Sequence, residues 1–435
     1  ILYLTCPGGA GAIEPSSLPL VPFFCTAFTN AGTRKHDYVA MAEKMALYTG
    51  GISLSPFSGS SFTHEHQTHC FLALHGKTLD RNLTPFFELL EEFVREISFQ
   101  DHERLFQLLF QYQAGMESSI VAAGHQYAIS MSSRHISPSA HIRELWNGMK
   151  QYHFIKKITG QLASGKKQDI LADLQNNLEA MAEKVFVQNN LKPAVVGGEK
   201  TIVQADQLVG QILSTLPRSK ESCFYAPEIQ LNTKTPREGW YTDTSVAFVG
   251  QSFPVVGIAH EDAPALSVIA KLLRSLYLHR EIREKGGAYG GSAQYNSEEG
   301  IFSFFSYRDP HIARTLDVYK DACTFIQEGN FTETDVKEAI LQVCSDIDKP
   351  HPPGPAAIKA FYRDIAQLSD GTRQKFKDSL LRLDKGKIIA AGQSYFSIAE
   401  TEKGICVIAG KDKLEMANET LEKEGQAPLT IYTAH

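Results

Sequence analysis

The stretch that decides the fold is HREIREKGGAYGG, residues 279–291. An amphipathic helix enters it and ends at a glycine pair, and a short segment then leaves toward a strand. Paired glycines allow a positive φ and let the backbone approach another group closely. Arg283 and Tyr289 stand on either side of this break, and both side chains can donate hydrogen bonds to an oxygen. The candidate substrate-binding residues lie between these two donors: Gly286, Gly287 and Ala288.

Outward from this stretch, the same order of predicted elements occurs twice. Each copy gives a helix, a glycine pair, two strands, several helices and a final strand, turn and helix, with the pair at 50–51 in the first copy and at 286–287 in the second. Phe99 and Phe331 lie 49 and 45 residues after the first glycine of each pair, so the register agrees. The alternative is an accidental likeness, because helix pairs often follow hairpins. The repeat predicts an α+β fold of two homologous domains, each an antiparallel sheet covered by helices.

The repeat also gives predicted domain boundaries. The first domain spans 1–216 and includes a helical segment at 119–190, and the second domain spans 240–435. Between them, residues 217–239 are polar and contain three prolines, which is typical of a linker.

Composition excludes several classes of protein. A chain of 435 residues with 43% hydrophobic and 21% charged residues is typical of a soluble protein with at least two domains. A net charge of -6 argues against a general nucleic-acid binder. No apolar run approaches the roughly 18 residues of a membrane-spanning helix. We therefore expect neither a nucleic acid nor a membrane as a partner.

The cysteines favour an intracellular compartment. There are seven, an odd number without a CxxC pair, which indicates reduced thiols rather than a disulfide framework. The mitochondrial or plastid matrix and the bacterial cytoplasm all fit this composition. The chain begins at Ile1 inside an apolar run that is predicted to be a strand, so we expect a piece of a longer polypeptide whose targeting signal lies upstream.

Arg283 and Tyr289 are the leading candidates for catalytic residues. Hydrolysis of a peptide bond develops negative charge on the carbonyl oxygen, and a donor placed at that oxygen lowers the barrier by about 3 kcal/mol. An arginine supplies a fixed cation there and a tyrosine a neutral donor. The alternative is that Arg283 pairs with Glu281 or Glu284 on a solvated helix end while Tyr289 packs in the sheet.

The histidine-rich run THEHQTHC, residues 63–70, raises the question of a metal site. On a strand, His64 and His66 would share one face and could supply two ligands, with Glu65 pointing away. The spacing fits neither HExxH nor the inverted HxxEH, and a polar loop leading into the strand at Cys70 is the interpretation we favour. We therefore expect no metal in this chain.

Other catalytic motifs are absent from the sequence. It contains neither a GxSxG nucleophile motif nor a GxxxxGK[ST] phosphate loop. Cys70 is the one cysteine with a neighbouring histidine, His69. Adjacent strand positions point to opposite faces, which argues against a cysteine–histidine dyad.

REKGGAYGG, the run SYRDP at 306–310 and the repeat together give the chain its resemblance to a known family. It resembles the insulinase/pitrilysin group of zinc metallopeptidases, and within it the presequence-protease branch. LPLVPFFCTAFTNAG, YTGGISLSP and LDRNL also look like the start of that branch's third domain. The resemblance covers nearly the whole chain.

The resemblance implies a clamshell of two halves, each built from two homologous α/β-roll domains around an enclosed chamber. The first half carries HxxEH and the zinc, and an Arg and a Tyr of the second half reach the substrate near the scissile bond. On this sequence those residues are Arg283 and Tyr289. The sequence contains no HxxEH, so the resemblance is to the C-terminal half, whose partners would be the zinc-binding N-terminal half and short unfolded peptides. Alternatively, the chain is a non-catalytic scaffold or partner subunit of the same family.

Overall fold

The computed structural model describes residues 1–62, 67–165, 167–219, 223–229, 231, 233–398 and 401–433. The chain forms two compact units, and each unit combines three separate stretches of sequence. The first unit consists of Ile1–Glu117, Lys150–Gln230 and His351–Gln367. The second consists of Ser118–Met149, Leu231–Pro350 and Leu368–His435. Each half of the sequence therefore supplies one stretch to the unit that the other half mainly builds.

The first unit contains a four-stranded sheet with the order β3-β4-β1-β6, and all of its neighbouring strands are antiparallel. A two-stranded ribbon joins β2 to β5. The strands of this half are β1 (Leu2–Gly9), β2 (Gly32–Thr33), β3 (Ile52–Ser60), β4 (Thr68–Thr78), β5 (Ile97–Ser98) and β6 (Ala194–Val196).

Eight α-helices belong to the described part of the first half of the chain. The longest, α4, has its first part in the first unit and its second part in the second unit, and α5 belongs to the second unit. In order they are α1 (Val21–Phe28), α2 (Tyr38–Tyr48), α3 (Leu83–Glu96), α4 (His102–Ser133), α5 (Pro138–Asn147), α6 (Met149–Ala163), α7 (Lys167–Val185) and α8 (Glu199–Thr215).

The second unit contains a six-stranded sheet with the order β12-β7-β11-β8-β10-β9. The two pairings of β7, with β11 and with β12, are parallel, and the remaining pairs are antiparallel. Its strands are β7 (Arg237–Tyr241), β8 (Phe248–Pro254), β9 (Gly290–Asn296), β10 (Ile301–Tyr307), β11 (Gly404–Ala409) and β12 (Thr430–Thr433).

The helices of the second half begin with α9 (Ala263–Leu272), which continues directly as a π-helix (Leu273–Glu284). Of those that follow, α12 belongs to the first unit and the others to the second. They are α10 (Ala313–Gln327), α11 (Glu333–Ile347), α12 (Pro353–Ile365), α13 (Asp370–Leu380), α14 (Lys385–Phe396) and α15 (Lys411–Lys423).

The two sheets repeat one topology, in agreement with the predicted α+β fold. The order β3-β4-β1-β6 corresponds to β9-β10-β8-β11, with the same antiparallel pairings, and β7 and β12 extend the second sheet. The glycine pairs occupy the same place before β3 and β9, and the second glycine of each has a positive φ, +119° at Gly51 and +75° at Gly287. The predicted domain boundaries remain a prediction beside this division into units.

Each sheet is covered by apolar helix faces. In the second unit a single large core includes Phe253, Phe302 and Phe304 from the sheet and Leu266 and Tyr319 from the helices. The first unit buries a smaller aromatic group, in which Phe71 of β4 packs against Phe57, Phe224 and Tyr362. None of the helices that the structure describes is long and apolar enough to cross a membrane.

Candidate functional site

The helix leading to the candidate site changes its winding after Leu272. Ala263–Leu272 is α-helical, whereas Leu273–Glu284 is a π-helix. The buried residues of the π-helix, Leu273, Leu278 and Ile282, are spaced five and four apart, as a period of about 4.4 residues requires. Long π-helices are rare and single π turns often lie at functional sites, so this winding marks the helix as unusual.

The glycine pair ends the π-helix. Gly287 has φ +75°, and its N–H donates to the carbonyl of Arg283 at 2.9 Å. The N–H of Ala288 donates to the carbonyl of Ile282 at 3.1 Å. A Cβ at Gly286 would lie 2.4 Å from the same Ile282 carbonyl oxygen. Gly286 and Ala288 are buried and Gly287 is exposed, and their contact with substrate remains a prediction.

Arg283 lies at the exposed end of the π-helix. Its Nη1 donates to Nε2 of His279 at 3.2 Å. That Nε2 accepts, so the ring proton of His279 lies on Nδ1, which is 3.3 Å from the Glu284 carboxylate. The guanidinium carbon lies 6.0 Å from the ring centre of Tyr289. The carboxylate of Glu281 is taken up by two other basic neighbours, so it is not the partner of Arg283.

Tyr289 does not pack into the sheet, since 68% of it is exposed. Its main-chain N–H donates to the carbonyl of Tyr307 on β10 at 3.1 Å, and the two rings meet edge to face at 5.5 Å. Within the part of the chain that the structure describes, the Tyr289 hydroxyl has no hydrogen-bond partner. The structure therefore brings both predicted catalytic side chains together, with a phenol that a ligand can reach.

The SYRDP run forms the turn that follows β10. Arg308 has φ +50°, and Asp309 next to it is buried. The Asp309 carboxylate accepts from the Thr315 hydroxyl at 2.7 Å and from the N–H of His311 at 2.9 Å. Its main-chain N–H and carbonyl both pair with Ala247 at 2.7 Å. Asp309 thus fixes the end of the strand that supports Tyr289.

Sequence reasoning missed Tyr307 and His279, the direct neighbours of the two donors. Tyr307 was noted only as part of SYRDP, and His279 only as the start of the deciding stretch. The spacing of His279 and Arg283, four residues on one helix, is the signal that could have paired these two side chains.

The histidine-rich run gives no structural support for a metal site. His64 and His66 lie outside the described residues. His69 is buried and stacks on Tyr225 with ring centres 4.9 Å apart. Burial raises the pKa of Cys70 to about 12, so this thiol is not a nucleophile at neutral pH. Among the described residues, no three His, Cys, Asp or Glu side chains are grouped to hold a metal ion.

Comparison with known families gives the chain its place. The profile of the region associated with subfamily C of the M16 peptidases matches residues 1–158, and the profile "PreP C-terminal domain" matches residues 237–411. The chain belongs to the M16 peptidases. Within this family it corresponds to the C-terminal part of a presequence-protease-type peptidase.

Mitochondrial presequence proteases are among its relatives. The chain is 28% identical to that of Xenopus tropicalis over 95% of its own length and 42% of the relative's. It is 30% identical to that of Yarrowia lipolytica over 76% of its own length and 33% of the relative's. This M16 chain therefore spans less than half the length of the relatives that it matches.

Solved structures agree on the fold of this M16 chain. A peptidase M16 inactive domain from Pseudomonas fluorescens superposes with a TM-score of 0.65 at 16% identity, over 94% of this chain and 92% of the other. A protease from Helicobacter pylori gives a TM-score of 0.60 at 14% identity, over 94% and 93%. At these identities the likeness supports the fold alone.

Proposed function

We propose that this chain is the C-terminal, non-zinc-binding part of a zinc metalloendopeptidase that degrades short unfolded peptides. In this role Arg283 and Tyr289 bind the substrate beside the scissile bond and stabilise the charge that develops there. The observation that carries the proposal is the pairing of these two side chains at the end of the π-helix, with an unpartnered and exposed Tyr289 hydroxyl beside the Arg283 guanidinium.

The chemistry of the pair suits a peptide carbonyl. The guanidinium keeps its charge throughout the working pH range and presents several N–H donors. The phenol of Tyr289 adds a neutral O–H donor from the opposite end of the Gly-Gly turn. Two donors directed at one carbonyl oxygen bind the developing oxyanion more tightly than the ground-state carbonyl, which is the requirement for catalysis.

The zinc belongs to the N-terminal part in this proposal. That ion would supply the activated water, and the described residues of this chain offer no group of ligands for it. The relatives extend well beyond the region matched, which leaves room for such a part. We also propose that the two parts enclose a chamber. The names of the relatives favour a mitochondrial location among the intracellular compartments considered.

A second candidate function is a non-catalytic scaffold or partner subunit of the same family. The absence of HxxEH from these 435 residues motivates it. The polypeptide upstream of Ile1 distinguishes the two candidates. An HxxEH there on the same chain supports the enzyme, and a native start close to Ile1 supports the scaffold. Under both candidates the 435 residues alone hydrolyse no peptide.

The test uses the complete enzyme and an unfolded peptide substrate. Arg283→Ala and Tyr289→Phe each remove one donor, and we expect kcat/KM to fall by about a hundredfold for each. The matched controls are Arg274→Ala, at an exposed arginine earlier on the same π-helix, and Tyr48→Phe, at the tyrosine before the first glycine pair. Control variants that keep full activity complete the expected result. Unchanged kcat/KM in both donor variants would remove the catalytic role.

A further inference from the structure

Tyr289 is held by a second tyrosine, Tyr307, that the family motifs do not single out. We propose that Tyr307 is a positioning residue, which links the exposed Tyr289 to a break in helix α4 and so holds its phenol at the substrate. The inference rests on the proposed function, because it assigns Tyr307 a task only if Tyr289 acts on the substrate.

The break in α4 supplies the first half of the argument. Ala123 has φ −133° and ψ 32°, which is not helical, so the ladder of helix hydrogen bonds is interrupted there. The Tyr307 hydroxyl donates to the carbonyl of Ala122 at 3.1 Å, the residue just before the break. An interrupted helix leaves main-chain carbonyls without their usual partners, and a side-chain donor compensates. The hydroxyl thus ties the end of β10 to α4.

The break coincides with a close approach of α4 to the sheet. Gly124 follows Ala123, and a Cβ at this position would lie 2.4 Å from the ring of Phe248, a fully buried residue of β8. The helix therefore passes the sheet where no side chain fits. Tyr307 packs beside the same ring, at 5.6 Å between centres.

The ring of Tyr307 is enclosed on several sides. His125 meets it edge to face at 4.9 Å, and the guanidinium of Arg308 lies 5.5 Å from its centre. With Phe248 on a further side and the hydroxyl bonded to Ala122, the ring has little freedom to move. It is a fixed surface at the end of β10.

Tyr289 depends on this surface in two ways. Its main-chain N–H donates to the Tyr307 carbonyl, and its ring packs edge to face on the Tyr307 ring. Because 68% of Tyr289 is exposed, few other contacts restrain its rotamer. A phenol held in one orientation lowers the barrier more than a phenol that samples several, since the entropy of alignment is lost in advance.

The test measures kcat and KM separately in the complete enzyme, for Tyr307→Phe, Tyr289→Phe and the double variant. Tyr307→Phe keeps the ring and loses the bond to Ala122, and we expect kcat to fall about fivefold with KM nearly unchanged. In the Tyr289→Phe background the same change has no further effect on kcat, because no phenol is left to position.

Tyr319→Phe is the matched control. Its hydroxyl donates to the main-chain carbonyl of Val249, also at 3.1 Å and in the same unit. Loss of this bond lowers the melting temperature and leaves kcat unchanged. Near-ultraviolet circular dichroism of each variant verifies the native fold.

The possible outcomes separate the two proposals. Equal losses from Tyr307→Phe in both backgrounds, or full activity of Tyr307→Phe alone, overturn the positioning role and leave the role of Tyr289 intact. Full activity of Tyr289→Phe overturns the proposed function, and the positioning role with it. A loss in the native background that disappears in the Tyr289→Phe background supports both.

Discussion

Gly287 shows how one residue serves both copies of the repeat. It turns the chain out of the π-helix with φ +75°, and Gly51 makes the corresponding turn with φ +119°. These glycines are therefore a requirement of the architecture. The first copy has Tyr48 before its glycines and Ile52 after them, without an Arg/Tyr pair. What distinguishes the second copy is the pair of donors, Arg283 and Tyr289.

Replacement of Gly287 by alanine tests this requirement. A side chain in left-handed backbone costs about 1–2 kcal/mol, so we expect the free energy of unfolding to fall by that amount in urea titration. Gly290→Ala is the control, since its φ is not positive and an added Cβ meets nothing within 4 Å. A Gly287→Ala variant as stable as the control would contradict the assigned turn.

At this scale the sequence identified the two donors and the glycines, and the structure brings the donors together. It did not identify Tyr307, because the contact between Tyr289 and Tyr307 exists only once β9 and β10 form a hairpin. The bond from Tyr307 to Ala122 joins residues 185 positions apart, which no local spacing reveals. A motif supplies residue types, and the tertiary fold supplies their neighbours.

Elements with ordinary α-helical periodicity were predicted closely. The helix expected over 38–48 is Tyr38–Tyr48, and the helix expected over about 84–97 is Leu83–Glu96. The π-helix was not predicted, because a period of 3.6 residues places Leu276 on the buried face. In the structure Leu278 is buried and Leu276 is only partly so. Wider winding changes which side chains face the sheet, and Arg283 lies at its last turn.

Helix α11 begins with a capping box that offers a test at the level of one element. The Thr332 hydroxyl accepts from the N–H of Asp335, and the Asp335 carboxylate accepts from the N–H of Thr332 at 2.7 Å. We expect Thr332→Ala to lower the free energy of unfolding by about 1 kcal/mol. Thr324→Ala, at an exposed threonine inside α10, is the control and should not destabilise the chain. Equal stability of both variants in thermal denaturation would show that the cap contributes nothing.

For the whole molecule, the repeat was predicted and the assignment of its helices to units was not. The sequence suggested consecutive domains over 1–216 and 240–435. The compact units instead exchange segments, with 118–149 in the second unit and 351–367 in the first. An apolar helix face shows that a helix is covered but not which sheet covers it, so this exchange is invisible to periodicity.

The contacts of the exchanged segments are specific. Tyr362 of α12 shares hydrogen bonds with Thr5 at 3.0 Å and with His75 at 3.1 Å in the first unit. Ser132 of α4 shares one with Ser252 at 2.7 Å in the second unit, where both residues are buried. Each unit therefore needs polar and apolar groups that come from the other half of the sequence.

Division of the chain between the halves follows as a test. We expect fragments 1–230 and 231–435, expressed separately, to lack the cooperative thermal transition of the intact chain, because each loses a segment that completes its core. Refolded together in equal amounts, the fragments should recover the transition and co-elute in gel filtration. The control is the intact chain cut at the same position after folding, which should remain associated. Two fragments that each melt cooperatively at the temperature of the intact chain would show that the exchanged segments are dispensable and that the halves fold as consecutive domains.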